Sequence, residues 1–158
     1  GSLGQGFSVA VGMATAGKMD GNPGRVYALC GDGELQEGII WEAALSAAHR
    51  NLDNLVLIVD WNGLHIDGKV DDVKKVTPLS GKFQTFGWHV INVDGHSFPE
   101  ILAALDEAKT VKGQPTAIIA KTHKGHGVSF MEDQAGWHGK APNDEQFRQA
   151  MEELGGVQ

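Results

Sequence analysis

Apolar residues along this chain occur in short continuous runs, and these runs alternate with longer stretches of helical spacing. Runs that are apolar at nearly every position are typical of strands buried on both faces of a sheet. The predicted strands are Arg25–Cys30, Leu55–Asp60, Trp88–Val93 and Thr116–Thr122. Helical spacing is clearest in residues 37–50, where isoleucine and alanine pairs recur every four positions and so share one helical face.

Strands that alternate with helices predict a parallel sheet joined by right-handed βαβ connections. The predicted helices are Gln5–Lys18, Glu37–Arg50, Phe98–Val111 and Asn143–Leu154. We therefore predict an α/β fold of three layers, with helices on both faces of the sheet and one domain over residues 1–158. Two linking regions, Leu64–Thr85 and Thr122–Pro142, are too long for ordinary connections, and long loops of this kind are often functional.

Composition narrows the class of protein. The 158 residues carry 13 Lys and Arg against 20 Asp and Glu, and the resulting charge of −7 disfavours a nucleic-acid partner. Cys30 is the single cysteine, so it indicates a reducing compartment and fits a small, inert packing residue. No apolar run approaches the roughly 20 residues of a membrane span, and no leader opens the chain, so we expect a cytoplasmic protein.

The start at Gly1, without an initiator methionine, suggests a fragment.

Ligands of parallel α/β sheets collect beyond the carboxyl ends of the strands, and Gly31-Asp32-Gly33 follows the first predicted strand there. Alone, this tripeptide fits a simple turn. A turn between a buried strand and a helix N-terminus, however, presents backbone N–H groups that bind phosphate well. Gly33 lacks a Cβ atom and would let the backbone approach a diphosphate.

A diphosphate beside Asp32 would be strongly repelled without a divalent cation. Mg²⁺ prefers oxygen ligands and is commonly held by one or two carboxylates together with phosphate, carbonyl and water oxygens. Asp32 offers a carboxylate, Asn62 follows the next strand with a side-chain carbonyl, and Leu64 offers a backbone carbonyl. Asn62-Gly63 also fits a tight turn.

A zinc site is the rival hypothesis for the histidines. His123, His126 and His138, with Asp133 between them, could supply imidazole and carboxylate ligands. Their spacing matches no closed zinc pattern, however, and the phosphate hypothesis already accounts for the glycine-rich loops.

A long set of motifs resembles the thiamine diphosphate signature of transketolases, and the resemblance covers nearly the whole chain. It includes residues 31–38 (GDGELQEG), 41–43 (WEA), 62–64 (NGL), 66–68 (IDG), 1–6 (GSLGQG), 93–96 (VDGH) and 137–139 (WHG). The related deoxyxylulose-phosphate synthases share the Gly-Asp-Gly and Asn elements, whereas residues 34–38 and 137–139 are closer to transketolase.

The resemblance implies a role for each matching residue. Asp32, Asn62 and the carbonyl of Leu64 would hold Mg²⁺, with the Gly33 N–H on the diphosphate of thiamine diphosphate. The remaining residues implied to bind this cofactor are Gly1, Ser2, Leu3, Gly31, Glu34, Lys124 and His138. His138 would also face the sugar and act in catalysis. Glu37 would be a second catalytic residue and, with Glu42, would join an acidic network between two active sites, although acidic residues are common in the first turns of any helix.

The resemblance also implies what this chain does not contain. The glutamate that activates the cofactor lies on a separate pyrimidine-binding domain or subunit, and the upstream part of the diphosphate-binding domain is absent. We expect part of a homo- or hetero-oligomeric transketolase that moves a two-carbon ketol group between sugar phosphates and is inactive alone. A non-catalytic interaction module of the same fold and a deoxyxylulose-phosphate synthase are the alternatives.

Overall fold

The computed structural model describes residues 2–156, and its centre is a parallel β-sheet. The strands of this sheet are β1 (Val26–Gly31), β2 (Leu55–Trp61), β5 (His89–Asp94) and β6 (Thr116–Lys121). A small antiparallel hairpin consists of β3 (Leu64–His65) and β4 (Gly68–Lys69). The four long strands lie in the order β1-β2-β6-β5, and each neighbouring pair is parallel.

Helices connect these strands and cover both faces of the sheet. They are α1 (Gln5–Met19), α2 (Gly38–His49), α3 (Val70–Val73), α4 (Leu79–Thr85), α5 (Phe98–Thr110) and α6 (Asp144–Glu153). Short 3₁₀ turns occupy Gly33–Gln36 and Ala135–Trp137. The predicted α/β class, a parallel sheet with helices on both faces, is therefore confirmed. No helix within residues 2–156 is both long and apolar enough to cross a membrane.

The two faces of the sheet are covered unequally. Helices α1, α2 and α4 pack on one face and form the larger core, in which Phe7, Ile40 and Phe83 are almost fully buried. On the other face, α5 packs on β5 and β6 through Ala104 and Ala108. Alternate side chains of β2, β5 and β6 enter the two cores, as expected for strands covered on both faces.

The second face remains uncovered along β1. Tyr27 and Leu29 point to this face and are 46% and 71% exposed, while their strand neighbour Cys30 enters the larger core and is 3% exposed. Burial raises the pKa of the Cys30 thiol to about 12, with a further contribution from nearby Glu34, so this cysteine is an inert packing residue, as predicted. We call the strip formed by Tyr27 and Leu29 the open strip.

The region between Leu64 and Thr85 contains more structure than its sequence indicated. It forms the β3–β4 hairpin and the short helices α3 and α4. Helix α4 has only seven residues, with Leu79 and Phe83 one helical turn apart, so its apolar pattern is too short to identify. Its stability comes instead from packing, since both side chains are buried beneath the sheet.

Asp53 joins three turns at the amino end of the sheet. Its carboxylate lies 3.1 Å from the Lys18 ammonium and accepts a 2.9 Å hydrogen bond from the Gly113 N–H. Burial alone would raise the pKa of Asp53, but these two partners outweigh it, so the pKa falls below its ordinary value of 3.8.

We expect Asp53→Asn to lower the free energy of unfolding by about 1 kcal/mol at pH 7. Because the pKa of Asp53 is lower in the folded state, its contribution is complete above the ordinary pKa and is lost as the pH falls through the folded one. Urea unfolding at pH 7 and pH 3 should show a smaller difference at pH 3. Asp106→Asn, in the exposed pair with Lys109, is the control and should change little. An equal loss at both pH values would show that the charge is not responsible.

Candidate functional site

The candidate site lies at the carboxyl ends of β1 and β2. The register pairs Gly31 with Asp60, so Asp32 and Asn62 leave the sheet side by side. The N–H of Asp32 continues the ladder by donating to the Asp60 carbonyl at 3.0 Å. Parallel pairing therefore brings together two residues that are 30 positions apart in the sequence.

Asp32 is the buried carboxylate of this site. It is 1% exposed, and its two oxygens accept hydrogen bonds from the Gly33 N–H at 2.9 Å and the Gly63 N–H at 2.7 Å. Burial raises the pKa of Asp32, although both N–H groups act in the opposite direction. The Asp32 carboxylate thus links the turn after β1 to the turn after β2. Burying its negative charge costs free energy, and a nearby cation would offset that cost.

The Asn62 side chain is held in the second turn. Its Oδ1 accepts a 3.0 Å hydrogen bond from the Leu64 N–H, and its amide group donates to the Asp60 carboxylate at 3.3 Å. These contacts fix the amide between β2 and the hairpin, and they leave Asn62 and Leu64 half-buried.

A cavity of about 460 Å³ opens over these turns. Apart from Ser2 and Glu42, every residue between 2 and 156 that the sequence predicts for the cofactor site lines it. Those residues are Leu3, Gly31, Asp32, Gly33, Glu34, Glu37, Asn62, Leu64, Lys124 and His138. Gly1 lies outside the described residues, and Ser2 is exposed. The cavity is also lined by six residues that sequence reasoning did not assign to the site, namely Gln36, Asp60, His65, Ile66, Asp67 and Val73.

Glu34 has a structural function that the sequence did not reveal. Its carboxylate accepts a 2.8 Å hydrogen bond from the Gly4 N–H and thereby ties the segment before α1 to the cavity wall. Gly4 has a φ of +78°, and a Cβ atom there would lie 2.6 Å from the Ile39 side chain. This tether holds the neighbouring Leu3 against the cavity, where its side chain is half exposed.

Lys124 and His138 reach the cavity from the loop after β6. The loop closes on itself through a 2.8 Å hydrogen bond from the Asp133 N–H to the Lys124 carbonyl. Gly125 has a φ of +73°, and a Cβ atom would lie 2.6 Å from the Met131 carbonyl oxygen, so this close approach requires glycine. The Trp137 indole donates to the Phe130 carbonyl at 2.9 Å and anchors the turn that ends at His138.

The acidic pair lies at the start of α2. Glu37 is the N-terminal flanking residue of α2 and lines the cavity, whereas Glu42 is exposed and does not. Their network between two active sites remains a prediction, because the second site would belong to another chain.

The zinc hypothesis fails in this structure. Within residues 2–156, no group of three or more His, Cys, Asp or Glu side chains is arranged to hold a metal ion. His138 lines the main cavity, while His123 and His126 surround a separate one with His96, whose ring stacks on that of His126 at 3.9 Å between centroids.

The donor set of the main cavity fits Mg²⁺ and a phosphate-bearing cofactor. Mg²⁺ favours carboxylate and carbonyl oxygens, and Asp32 supplies a buried carboxylate whose two hydrogen-bond partners are both backbone N–H groups. Gly33 leaves room that a side chain would fill, since a Cβ atom there would lie 3.0 Å from the Cβ of His65. Leu3, Ile66 and Val73 add the apolar surface that an organic ring requires.

The fold and this cavity together define an α/β cofactor-binding domain with its site at the carboxyl edge of the sheet. Comparison with known proteins gives the family. The model of the transketolase thiamine diphosphate binding domain matches residues 1–157. The chain therefore belongs to the transketolase family.

Relatives of this chain include both separate subunits and longer chains. A 6-deoxy-6-sulfo-D-fructose transketolase subunit of Clostridium sp. (strain MSTE9) is 46% identical over 98% of this chain and 56% of its own length. An apulose-4-phosphate transketolase subunit of Actinobacillus succinogenes is 42% identical, with 98% and 55% covered. The crystal structure of Campylobacter jejuni transketolase has a TM-score of 0.91 and 37% identity, over 99% of this chain and 26% of its own. The chain thus spans about half the length of the two subunit relatives.

Proposed function

We propose that residues 1–158 form part of the diphosphate-binding domain of a transketolase. In this proposal the chain binds Mg²⁺ and the diphosphate end of thiamine diphosphate. It acts with a pyrimidine-binding domain or subunit in the reversible transfer of a two-carbon ketol group between sugar phosphates. The observation that carries the proposal is the buried carboxylate of Asp32, placed beside Asn62 and Leu64 at the base of one cavity.

The residues of the chain divide the work of binding. Asp32, the Asn62 side-chain oxygen and the Leu64 carbonyl would hold Mg²⁺, which relieves the cost of burying the Asp32 charge. Lys124 also lines the cavity, and its positive charge would offset the negative charge of a diphosphate. Leu3 offers an apolar contact to the organic part of the cofactor. When bound, thiamine diphosphate supplies the stabilised carbanion chemistry that ketol transfer requires.

His138 is the residue we assign to contact with both cofactor and sugar. It is exposed at the rim of the cavity, and an imidazole there can donate a hydrogen bond to an oxygen of either ligand. Glu37 lines the same cavity at the start of α2. In this proposal it connects this active site to the equivalent active site of another subunit in the oligomer.

A partner is part of the proposal because of the names of two relatives. Two relatives are named as transketolase subunits, and the chain covers 56% and 55% of them. A protein built from subunits places the remaining catalytic groups on another chain. We therefore propose a pyrimidine-binding domain or subunit as the partner, in a homo- or hetero-oligomer.

Substrate phosphate must be recognised mainly by residues outside this cavity. No arginine is found among the described residues that line it. Arg25 is committed to the fold, since its guanidinium donates to the carbonyls of Asp53 and Lys109, both at 2.7 Å. The two subunit relatives are named for different sugars, a sulfonated ketose and a ketose phosphate. In our proposal, the residues that select the sugar lie on the partner.

Calorimetric titration with thiamine diphosphate tests the proposal. The chain is titrated with and without Mg²⁺, and with and without a candidate pyrimidine-binding partner. We expect heat of binding in the presence of Mg²⁺ and partner, and little or none when Mg²⁺ is replaced by a chelator. If no condition gives binding, the cofactor function is refuted and the non-catalytic interaction module becomes the better account.

A further inference from the structure

His65 carries a buried hydrogen-bonding atom that has no partner in the part of the chain that the structure describes. Its side chain is 14% exposed, and its Nε2 is a buried polar atom for which no partner is present among residues 2–156. An unpaired buried donor or acceptor destabilises a folded protein, so such atoms are rare and each one needs an explanation.

The hydrogen bond made by Nδ1 of His65 determines whether Nε2 is a donor or an acceptor. Nδ1 accepts a 3.0 Å hydrogen bond from the Asp67 N–H, so the ring proton lies on Nε2. The Asp67 carboxylate is 3.9 Å from Nδ1 and largely exposed, which is too far to change this assignment. Nε2 is therefore a hydrogen-bond donor.

His65 lies beside the Gly33 turn of the proposed site. Its Cβ is the nearest atom to the place that a Gly33 Cβ would occupy, its ring carbons Cγ and Cδ2 lie 3.7 Å from that place, and the residue lines the main cavity. Nε2 itself is covered in this structure, so a ligand would reach it through a small displacement of the Leu64–Lys69 hairpin. That hairpin has only two paired residues in each strand.

Other donors on this wall are already used. The N–H groups of Gly33 and Gly63 donate to Asp32, and the N–H of Leu64 donates to Asn62. The cavity lining also contains Asp60 and Asp67, which repel anions. An anionic ligand therefore meets few free donors here, and Nε2–H of His65 is one of them.

We propose that His65 binds the phosphate end of the cofactor through Nε2–H, while Nδ1 holds the hairpin in place through Asp67. The ligand group is a non-bridging oxygen of a diphosphate. This inference rests on the proposed function, because it requires thiamine diphosphate to occupy the cavity.

Two substitutions separate the roles of the two nitrogens. His65→Asn keeps an acceptor near the position of Nδ1 and removes the Nε2 donor, whereas His65→Gln keeps a donor near the position of Nε2. Both variants are made in the full chain, together with the partner if the wild type requires it. Their dissociation constants for thiamine diphosphate with Mg²⁺ are then measured by calorimetry, and their melting temperatures are measured without ligand.

We expect His65→Asn to bind at least about 10-fold more weakly with an unchanged melting temperature, and His65→Gln to stay within about 3-fold of the wild type. NMR of the wild-type imidazole should show the Nε2–H signal shifting when cofactor is added. Wild-type affinity in His65→Asn, or equal losses in both variants, would overturn the role of His65 while leaving the proposed function intact. Failure of the wild type itself to bind would refute the proposed function, and the inference with it.

Discussion

Replacing Asp32 by alanine is expected to abolish magnesium-dependent binding of thiamine diphosphate, with a dissociation constant at least about 100-fold higher. Asp32 is the one charged ligand in the proposed Mg²⁺ set, and its carboxylate is almost completely shielded from water. Removing a buried charged partner typically costs about 3–5 kcal/mol, which more than accounts for this factor. Calorimetry on the chain with its partner and Mg²⁺ measures the change.

Controls distinguish loss of the metal from loss of the fold. Asp32→Asn retains an oxygen, but its amide group faces one of the two N–H groups that now donate to the carboxylate. It should be less destabilising than alanine and should still bind weakly. Asn62→Ala should also weaken binding, whereas Asp106→Asn on α5 should not. Wild-type affinity in both Asp32→Ala and Asn62→Ala would refute the metal assignment.

Adding a pyrimidine-binding partner is expected to convert this chain from an inactive protein into an active transketolase. Alone, the chain should give a rate of ketol transfer no higher than that of buffer without protein. With the partner, Mg²⁺ and cofactor, turnover should rise at least about 1,000-fold above that level, because enzymes typically accelerate reactions by a factor of about a million or more. A coupled assay of sugar phosphate conversion, with analysis of the products, measures this.

The products also separate the alternatives. Transfer of a ketol group between sugars supports a transketolase, whereas release of a deoxyxylulose phosphate supports a synthase. As a matched control, the Asp32→Ala variant should show no ketol transfer with the same partner. An assembly that binds the cofactor but never turns over would favour the non-catalytic module.

The main strands and helices could be predicted because their patterns are local. Continuous apolar runs identified the four long strands to within one residue of their observed ends. The cavity could be placed because strand ends of a parallel sheet meet at one edge, so Asp32 and Asn62 had to be neighbours. A motif match added Lys124 and His138, which no periodicity would have brought to the same cavity.

The remaining features depend on contacts between distant residues. The hydrogen bond from Gly4 to Glu34 joins positions 30 apart, and neither residue type suggests it. The sequence indicated the Gly33 N–H as a phosphate donor, yet in the structure it donates to the Asp32 carboxylate. No sequence signal identified His65, because the burial of a single imidazole nitrogen depends on the folded hairpin.

The open strip has a consequence for how this architecture can vary. The turns that carry Asp32 and Asn62 follow strands β1 and β2, whose side chains on one face pack in the larger core. The open strip lies on the opposite, solvent-exposed face of β1. A contact made against Tyr27 and Leu29 would therefore lie on the back of the sheet and would leave the ligand-facing turns in place.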